Sequence, residues 1–223
     1  MRDSEKKAFE LGVRYLSYRN RSAREIETYL REKGFDEGSI KKALEKLQYY
    51  GYQNDKTYVK EIIRQKGEGA GKGRKMIRHF LLEKGVEESL IEKGLEEHFP
   101  SVLEMQVALN QTFKFFKSKK KLPLNQIKSK LAQRLASRGF SFEIIKDCLD
   151  ELTNSPEVEN IMEEQEAVHF QKALAEARKV RDRESKKDKN GYQIKGKIYE
   201  TLQRKGFERE MIQQIMEYLK EEN

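Results

Sequence analysis

The chain has 223 residues, 38% of them charged and 36% hydrophobic, and its 46 Lys and Arg against 38 Asp and Glu give a formal net charge of +8. An average globular domain carries about 25% charged residues, so one thick core is excluded, and the positive balance points to polyanions or an acidic partner. No apolar run approaches the roughly 20 residues that span a bilayer, MRDSEKKAFE lacks the apolar core of a secretion signal, and the single cysteine, Cys148, excludes an internal disulfide. The expectation is a cytoplasmic protein in which Cys148 is a small buried residue.

In chain order, a first helix is expected from about Ala8 to Tyr18, with Phe9, Val13 and Leu16 on one side. Ser22 and Glu25 form a capping box that opens a second helix, and Asp36 caps a third. The next unit opens at Asn54 and Asp55, continues through Tyr58, Val59, Ile62 and Ile63, and crosses a glycine-rich hinge, GEGAGKG, before its middle helix. A third unit begins after Pro100, with Phe113 and Phe116 one turn apart and Pro123 in the first turn of its middle helix. The fourth opens with a long charged helix from about Pro156 to Lys186, and the basic linker near Lys186 is the segment expected to be disordered. No strand signal of any length is present.

One octamer returns four times: KGFDEGSI from Lys33, KGVEESLI from Lys84, RGFSFEII from Arg138 and KGFEREMI from Lys205. On the glycines Gly34, Gly85, Gly139 and Gly206, the copies align further. Four residues earlier stand Leu30, Leu81, Leu135 and Leu202, and four before those Ile26, Ile77, Leu131 and Ile198. After the glycine come Ile40, Ile91, Ile145 and Ile212, then Leu44, Leu95, Leu149 and Met216. Steps of four mark one helix face, so each copy reads as a helix, a glycine stop and a second helix. A Schellman stop pairs Phe35 with Leu30, Val86 with Leu81, Phe140 with Leu135 and Phe207 with Leu202. The fold expected is all-α: an elongated tandem array of four three-helix units, spanning 1–52, 53–100, 101–154 and 155–223.

Catalytic and ligand motifs fail on spacing. GEGAGKG has Gly73 where a phosphate loop needs Ser or Thr, Lys66 where it needs its first glycine, and no preceding strand. His79, His98 and His169 fall in three helices without a partner at i+3 or i+4, and Glu163 with Glu164 reads as a solvated face. The expectation is a non-enzyme without metal or cofactor.

Charge is more informative. Thirteen and ten residues before the glycine stand Arg21 and Arg24 in the first unit and Lys72 and Lys75 in the second, a basic strip opposite the Ile and Leu line, extended by Arg31 or Arg78 in its own unit, with Arg74 a further candidate cation between Lys72 and Lys75. The third and fourth units carry Gln126 with Ser129 and Gln193 with Gly196 instead. A second basic run, Lys119, Lys120 and Lys121, follows Phe113, Phe115 and Phe116, which could stack on bases but at helical spacing read first as core.

YLSYRNRSAREIETYLREKGF from Tyr15, GYQNDKTYV from Gly51 and GKGRKMIRHFLLEKGV from Gly71 resemble the RecX family, regulators of the RecA recombinase. The resemblance is strong over residues 8–100 and weaker beyond. The family's aromatic, acidic and aromatic pattern between units matches Tyr52, Asp55 and Tyr58. The resemblance implies a non-catalytic protein that binds the RecA filament along its groove, and also single- or double-stranded DNA, restraining recombination and the SOS response; stacked modules with thin cores are expected to form a monomer. It implies too that an N-terminal segment of some longer relatives is missing here.

Overall fold

A computed structural model describes residues 3–186 and 190–222 of the chain. Among the described residues there are twelve α-helices and no strand. They fall into four successive triples: α1 (Asp3–Leu16), α2 (Ala23–Glu32) and α3 (Glu37–Tyr49); α4 (Asp55–Arg64), α5 (Arg74–Glu83) and α6 (Glu88–His98); α7 (Ser101–Lys119), α8 (Leu124–Ser137) and α9 (Phe142–Thr153); α10 (Pro156–Ser185), α11 (Gly191–Arg204) and α12 (Arg209–Glu221). The first helix starts and ends earlier than its apolar residues suggest, because Asp3 and Glu5 suit a helix N-terminus. Most of the basic linker expected beyond Lys186 lies outside the described residues. The helices gather into two compact units, Met1–Leu152 and Thr153–Asn223.

All four octamers are Schellman stops. Gly34, Gly85, Gly139 and Gly206 have φ of 85°, 69°, 86° and 84°, the left-handed region that a Cβ resists. In each, the amide after the glycine donates to the leucine carbonyl four residues before it: Phe35 to Leu30 at 3.3 Å, Val86 to Leu81 at 3.1 Å, and Phe140 to Leu135 and Phe207 to Leu202 at 3.2 Å. A fifth stop ends α3, where Gly51 has φ 73° and Tyr52 donates to Leu47 at 2.8 Å.

Each triple is held by a thin apolar core. In the first, Ala8 packs with Ile26, Leu30, Ile40, Ala43 and Leu47, and Gly12 lets Leu47 approach so closely that a Cβ there would lie 2.7 Å from its Cδ1. In the fourth, Ala173, Leu174, Ala177 and Val180 of α10 meet Ile198 and Leu202 of α11 and Ile212, Ile215 and Leu219 of α12. One expectation is corrected here. Leu44, Leu149 and Met216 are only half-buried, and the residues one place earlier, Ala43, Cys148 and Ile215, are buried. The inner line of the third helices therefore advances by three from Ile40, Ile145 and Ile212 and not by four, since 3.6 residues per turn allows either step, whereas from Ile91 the expected Leu95 is buried, together with Gly94.

Candidate partner-binding surface

The glycine stops also join neighbouring triples within Met1–Leu152, and two joints use the same parts. α2 begins at N-cap Ser22, whose side chain accepts from the Glu25 amide while the Glu25 carboxylate accepts from the Ser22 amide, the capping box expected. The Ser22 hydroxyl donates onward to the carbonyl of Lys84, the C-cap residue of α5, at 2.6 Å. The next amide, Ala23, donates to Asp55 Oδ1 of α4 at 3.0 Å. At the second joint the N-cap of α5 is Gly73, and its amide donates to the carbonyl of Arg138, the C-cap residue of α8, at 2.9 Å. The next amide, Arg74, donates to Glu104 Oε1 of α7 at 2.8 Å. In both, the carbonyl-rich end of one middle helix faces the amide-rich start of the previous one, and a carboxylate from the first helix of the following triple caps that start.

Packing follows the same register. A Cβ on Gly85 would lie 2.5 Å from Arg24 Cγ, and one on Gly139 would lie 2.5 Å from the Met76 amide nitrogen. GEGAGKG accordingly forms a packing surface. A π-helical turn, Gln65–Gly69, leads to Gly71 at φ 63°, Gly67 lies under the Phe99 ring, and the Arg138 guanidinium donates to the carbonyls of Ala70 and Gly71 at 2.7 and 3.0 Å. Its own burial, then Arg134 beside it, lowers the Arg138 pKa.

The aromatic, acidic and aromatic pattern is part of the first joint. Tyr58 is buried, and its hydroxyl donates to Glu25 at 3.2 Å; burial, then the Glu25 charge, raises its pKa. Glu25 is also approached by Arg19 at 2.8 Å and Lys84 at 3.6 Å. Burial pushes its pKa up, but Arg19, the Ser22 amide and Lys84 together hold it below the usual carboxylate range. Tyr52 is half exposed and meets Phe9 edge-on at 6.2 Å.

The expected basic strip is dispersed. Arg21 precedes the N-cap, lies 3.6 Å over the Tyr15 ring and donates to the Tyr15 carbonyl. Arg24 covers Gly85 and pairs with Glu27 at 2.9 Å. Arg31 pairs with Glu37, and Arg78 with Glu88 and Glu92. Lys72 also lies before its helix, half-buried, with Arg74 half-buried beside it and Lys75 exposed. Lys119, Lys120 and Lys121 are exposed at the end of α7, whereas Phe116 is fully buried and Phe113 and Phe115 are half-buried. Gln126, Ser129 and Gln193 differ from their counterparts for a reason in the backbone: α8 and α11 start four residues earlier relative to the glycine, after Pro123 and Asn190, so these sites lie inside a helix. Pro123 is the N-cap, one place before the first turn.

His79 does have a partner at i+4, since its Nε2 lies 3.3 Å from Glu83 on the surface. Cys148 is a free, buried thiol whose pKa burial raises. Among the described residues no group of His, Cys, Asp and Glu could hold a metal ion, and no helix is long and apolar enough to cross a membrane.

These features define a tandem three-helix-repeat protein. Comparison with known proteins narrows the class. A model of the RecX first three-helix domain matches residues 8–47, and one of the second matches 54–95. A model of the third matches twice, at 103–149 and 167–216, in keeping with the early helix starts that α8 and α11 share. "Regulatory protein RecX" of Bacillus mycoides (strain KBAB4) is 33% identical over 216 residues, 97% of this chain and 76% of that protein. The protein of the same name in Bacillus pumilus (strain SAFR-032) is 30% identical over 215 residues, covering 96% and 78%. The crystal structure of RecX from Lactobacillus salivarius superposes with a TM-score of 0.63 at 27% identity, covering 69% of this chain and 99% of that one. The chain belongs to the RecX family, whose curated members here are named regulatory proteins.

Proposed function

We propose that this chain is a non-catalytic modulator of the RecA recombinase, acting in the cytoplasm as a monomer, and that it inhibits by binding the RecA–DNA filament and so restrains recombination and the SOS response. The observation that carries this reading is the match of all four helical triples to RecX domain models, the fourth as a second copy of the third. Tandem units suit a periodic partner, because several weak contacts along one filament gain from high effective concentration. The units proposed are 1–52, 53–100, 101–154 and 155–223, with Lys72, Arg74 and Lys75 at the second joint and Lys119 to Lys121 at the α7 end as the cations offered to the filament.

RecA-driven strand exchange, titrated with the purified chain, tests the reading. Inhibition at stoichiometries well below one chain per recombinase supports it, and unaltered exchange at saturation removes it. A second reading, a nucleic-acid-binding repeat protein independent of RecA, is favoured by the net charge of +8. Pull-down of RecA with and without nuclease separates the two, since a contact that survives DNA removal belongs to the recombinase.

A further inference from the structure

Between Glu104 and Glu143 the chain carries nine Lys and Arg and no Asp or Glu, although 38 acidic residues occupy the rest. Solvated helix faces ordinarily mix the two signs, and the other triples do so: Arg31 with Glu37 at 2.7 Å, Arg78 with Glu92 at 2.7 Å, Lys197 with Glu200 at 2.6 Å and Lys205 with Glu176 at 2.7 Å. Apart from Glu104, which is buried and caps the start of α5, the α7–α8 hairpin supplies no acid for such pairing. Holding the like charges of Lys114, Lys119, Lys121, Lys130 and Arg134 on two packed helices opposes folding, and a polyanion relieves the repulsion.

The hairpin gathers these cations. Lys114 is exposed near the end of α7, Lys119 and Lys121 in the turn that closes where the Leu122 amide donates to the Lys119 carbonyl, and Lys130 and Arg134 one turn apart on α8. Arg134 lies 5.6 Å over the Phe115 ring, which ties the α8 pair to the α7 end. Arg138 is committed to the Ala70 and Gly71 carbonyls and stands outside this group.

We infer that the α7–α8 hairpin binds the sugar-phosphate backbone of a nucleic acid without reading its bases. A protein partner would be met by an apolar centre, and no exposed large hydrophobic side chain lies between Lys114 and Arg134 among the described residues. Base stacking needs open aromatic faces, and Phe116 is buried with Phe113 and Phe115 half-buried. Lysines on flexible stems over a helical hairpin suit a charged backbone. The inference deepens the filament reading by naming the surface that meets its nucleic acid, and it requires no contact with the recombinase.

The test uses the full chain without recombinase and fluorescence anisotropy of a labelled oligo-dT. Lys119→Gln, Lys121→Gln, Lys130→Gln and Arg134→Gln together are compared with Lys41→Gln, Lys93→Gln, Lys172→Gln and Lys220→Gln, which remove the same charge elsewhere. The first set should weaken binding at least tenfold at low salt and lower the log-log salt slope by about 0.7 for each side chain that neutralises a phosphate; the second should stay within about threefold of wild type. Single Lys119→Gln and Lys130→Gln variants, each lowering the slope by about 0.7, keep the test open if the fourfold variant does not fold. A strand of abasic residues should bind as oligo-dT does. Equal losses in the two fourfold sets, tenfold weaker binding of the abasic strand, or competition by polyglutamate as strong as by oligo-dT would each overturn the inference. None of these outcomes bears on whether RecA itself is bound, so the two readings fail separately.

Discussion

The hydroxyl of Ser22 donates to the carbonyl oxygen of Lys84 at 2.6 Å across 62 positions of sequence, so one side chain starts a helix in the first triple and donates to the carbonyl at the helix stop of the second. Gly73 and Arg138 repeat the relationship with a backbone amide in place of the hydroxyl. In every octamer the glycine turns the chain, and at Gly85 and Gly139 it also clears the surface on which the preceding triple sits.

Ser22→Ala should cost about 1–2 kcal/mol, the upper range for an N-cap, because both the cap and the link to Lys84 are lost. Ser22→Gly should cost less, since glycine is a better N-cap than alanine and Gly73 starts α5 in the equivalent place, its amide meeting the Arg138 carbonyl. Urea midpoints of the two variants check the order.

Of this arrangement the stops were legible in the sequence and the joints were not. Leucine, glycine and an apolar residue at fixed offsets are local chemistry, as are the capping box at Ser22 and the Asp36 cap, whose carboxylate accepts from the Ser39 amide at 3.0 Å. The stop at Gly51 was equally legible, with Leu47 four before it and Tyr52 after, but it lies outside the aligned octamers. The joints link residues such as Ala23 and Asp55, or Arg74 and Glu104, and no local periodicity encodes which helix start meets which stop. Extending the helical period back to Arg21 and Lys72 carries it past the N-caps Ser22 and Gly73, where the helix no longer exists. Lys119 to Lys121 were legible as a run, yet the absence of acid around them counts only once α7 and α8 pack as a hairpin.

The glycines should differ in their tolerance. Gly34 is strained only by its φ of 85°, with no atom within 4 Å of an added Cβ, so Gly34→Ala should cost about 1–2 kcal/mol. Gly34→Asn should cost less and Gly34→Val more, because a β-branched residue resists positive φ. Gly139→Ala should exceed Gly34→Ala, since its Cβ would also meet the Met76 backbone. Equal midpoints for the two alanine variants would mean that the second joint yields freely.

Glu104 makes the second joint sensitive to pH. Burial raises its pKa, only partly offset by the Arg74 amide and by the charges of Arg74 and Lys75. A carboxyl raised in the folded state contributes stability that is full below its unfolded value of about 4.3 and is lost as pH rises through the folded value. Glu104→Gln keeps an acceptor for the Arg74 amide and removes the buried charge. Its stability relative to wild type should therefore rise between pH 4 and pH 8, read from urea midpoints. Glu25, held low, contributes in the opposite sense: its stabilisation is present above about 4.3 and is lost as pH falls through its folded value.

Cys148 occupies the position that Ala43 and Gly94 hold in the first two triples, all three of them buried. Cys148→Ala should change stability by no more than about 1 kcal/mol, whereas Cys148→Leu should overpack the third core and cost about 1–3 kcal/mol. Thermal melts under reducing conditions distinguish them.

The strip residues divide into those that hold a joint and those that could meet a partner. Arg24→Glu places a carboxylate beside Glu27 and disturbs the cover over Gly85, so it should lower stability and inhibition together. Lys72→Glu with Lys75→Glu alters a half-buried and an exposed cation outside any helix core, and should leave the melting temperature within a few degrees. If these lysines meet the filament, the Lys pair should lose inhibition of strand exchange while folded, and Gln126→Glu with Ser129→Glu and Gln193→Glu should retain it. Loss of naked-DNA binding with inhibition intact would assign the pair to DNA alone. A folded Lys-pair variant with unchanged inhibition and an unchanged salt slope would leave solubility as their role, because surface cations that neutralise no phosphate do not enter the slope.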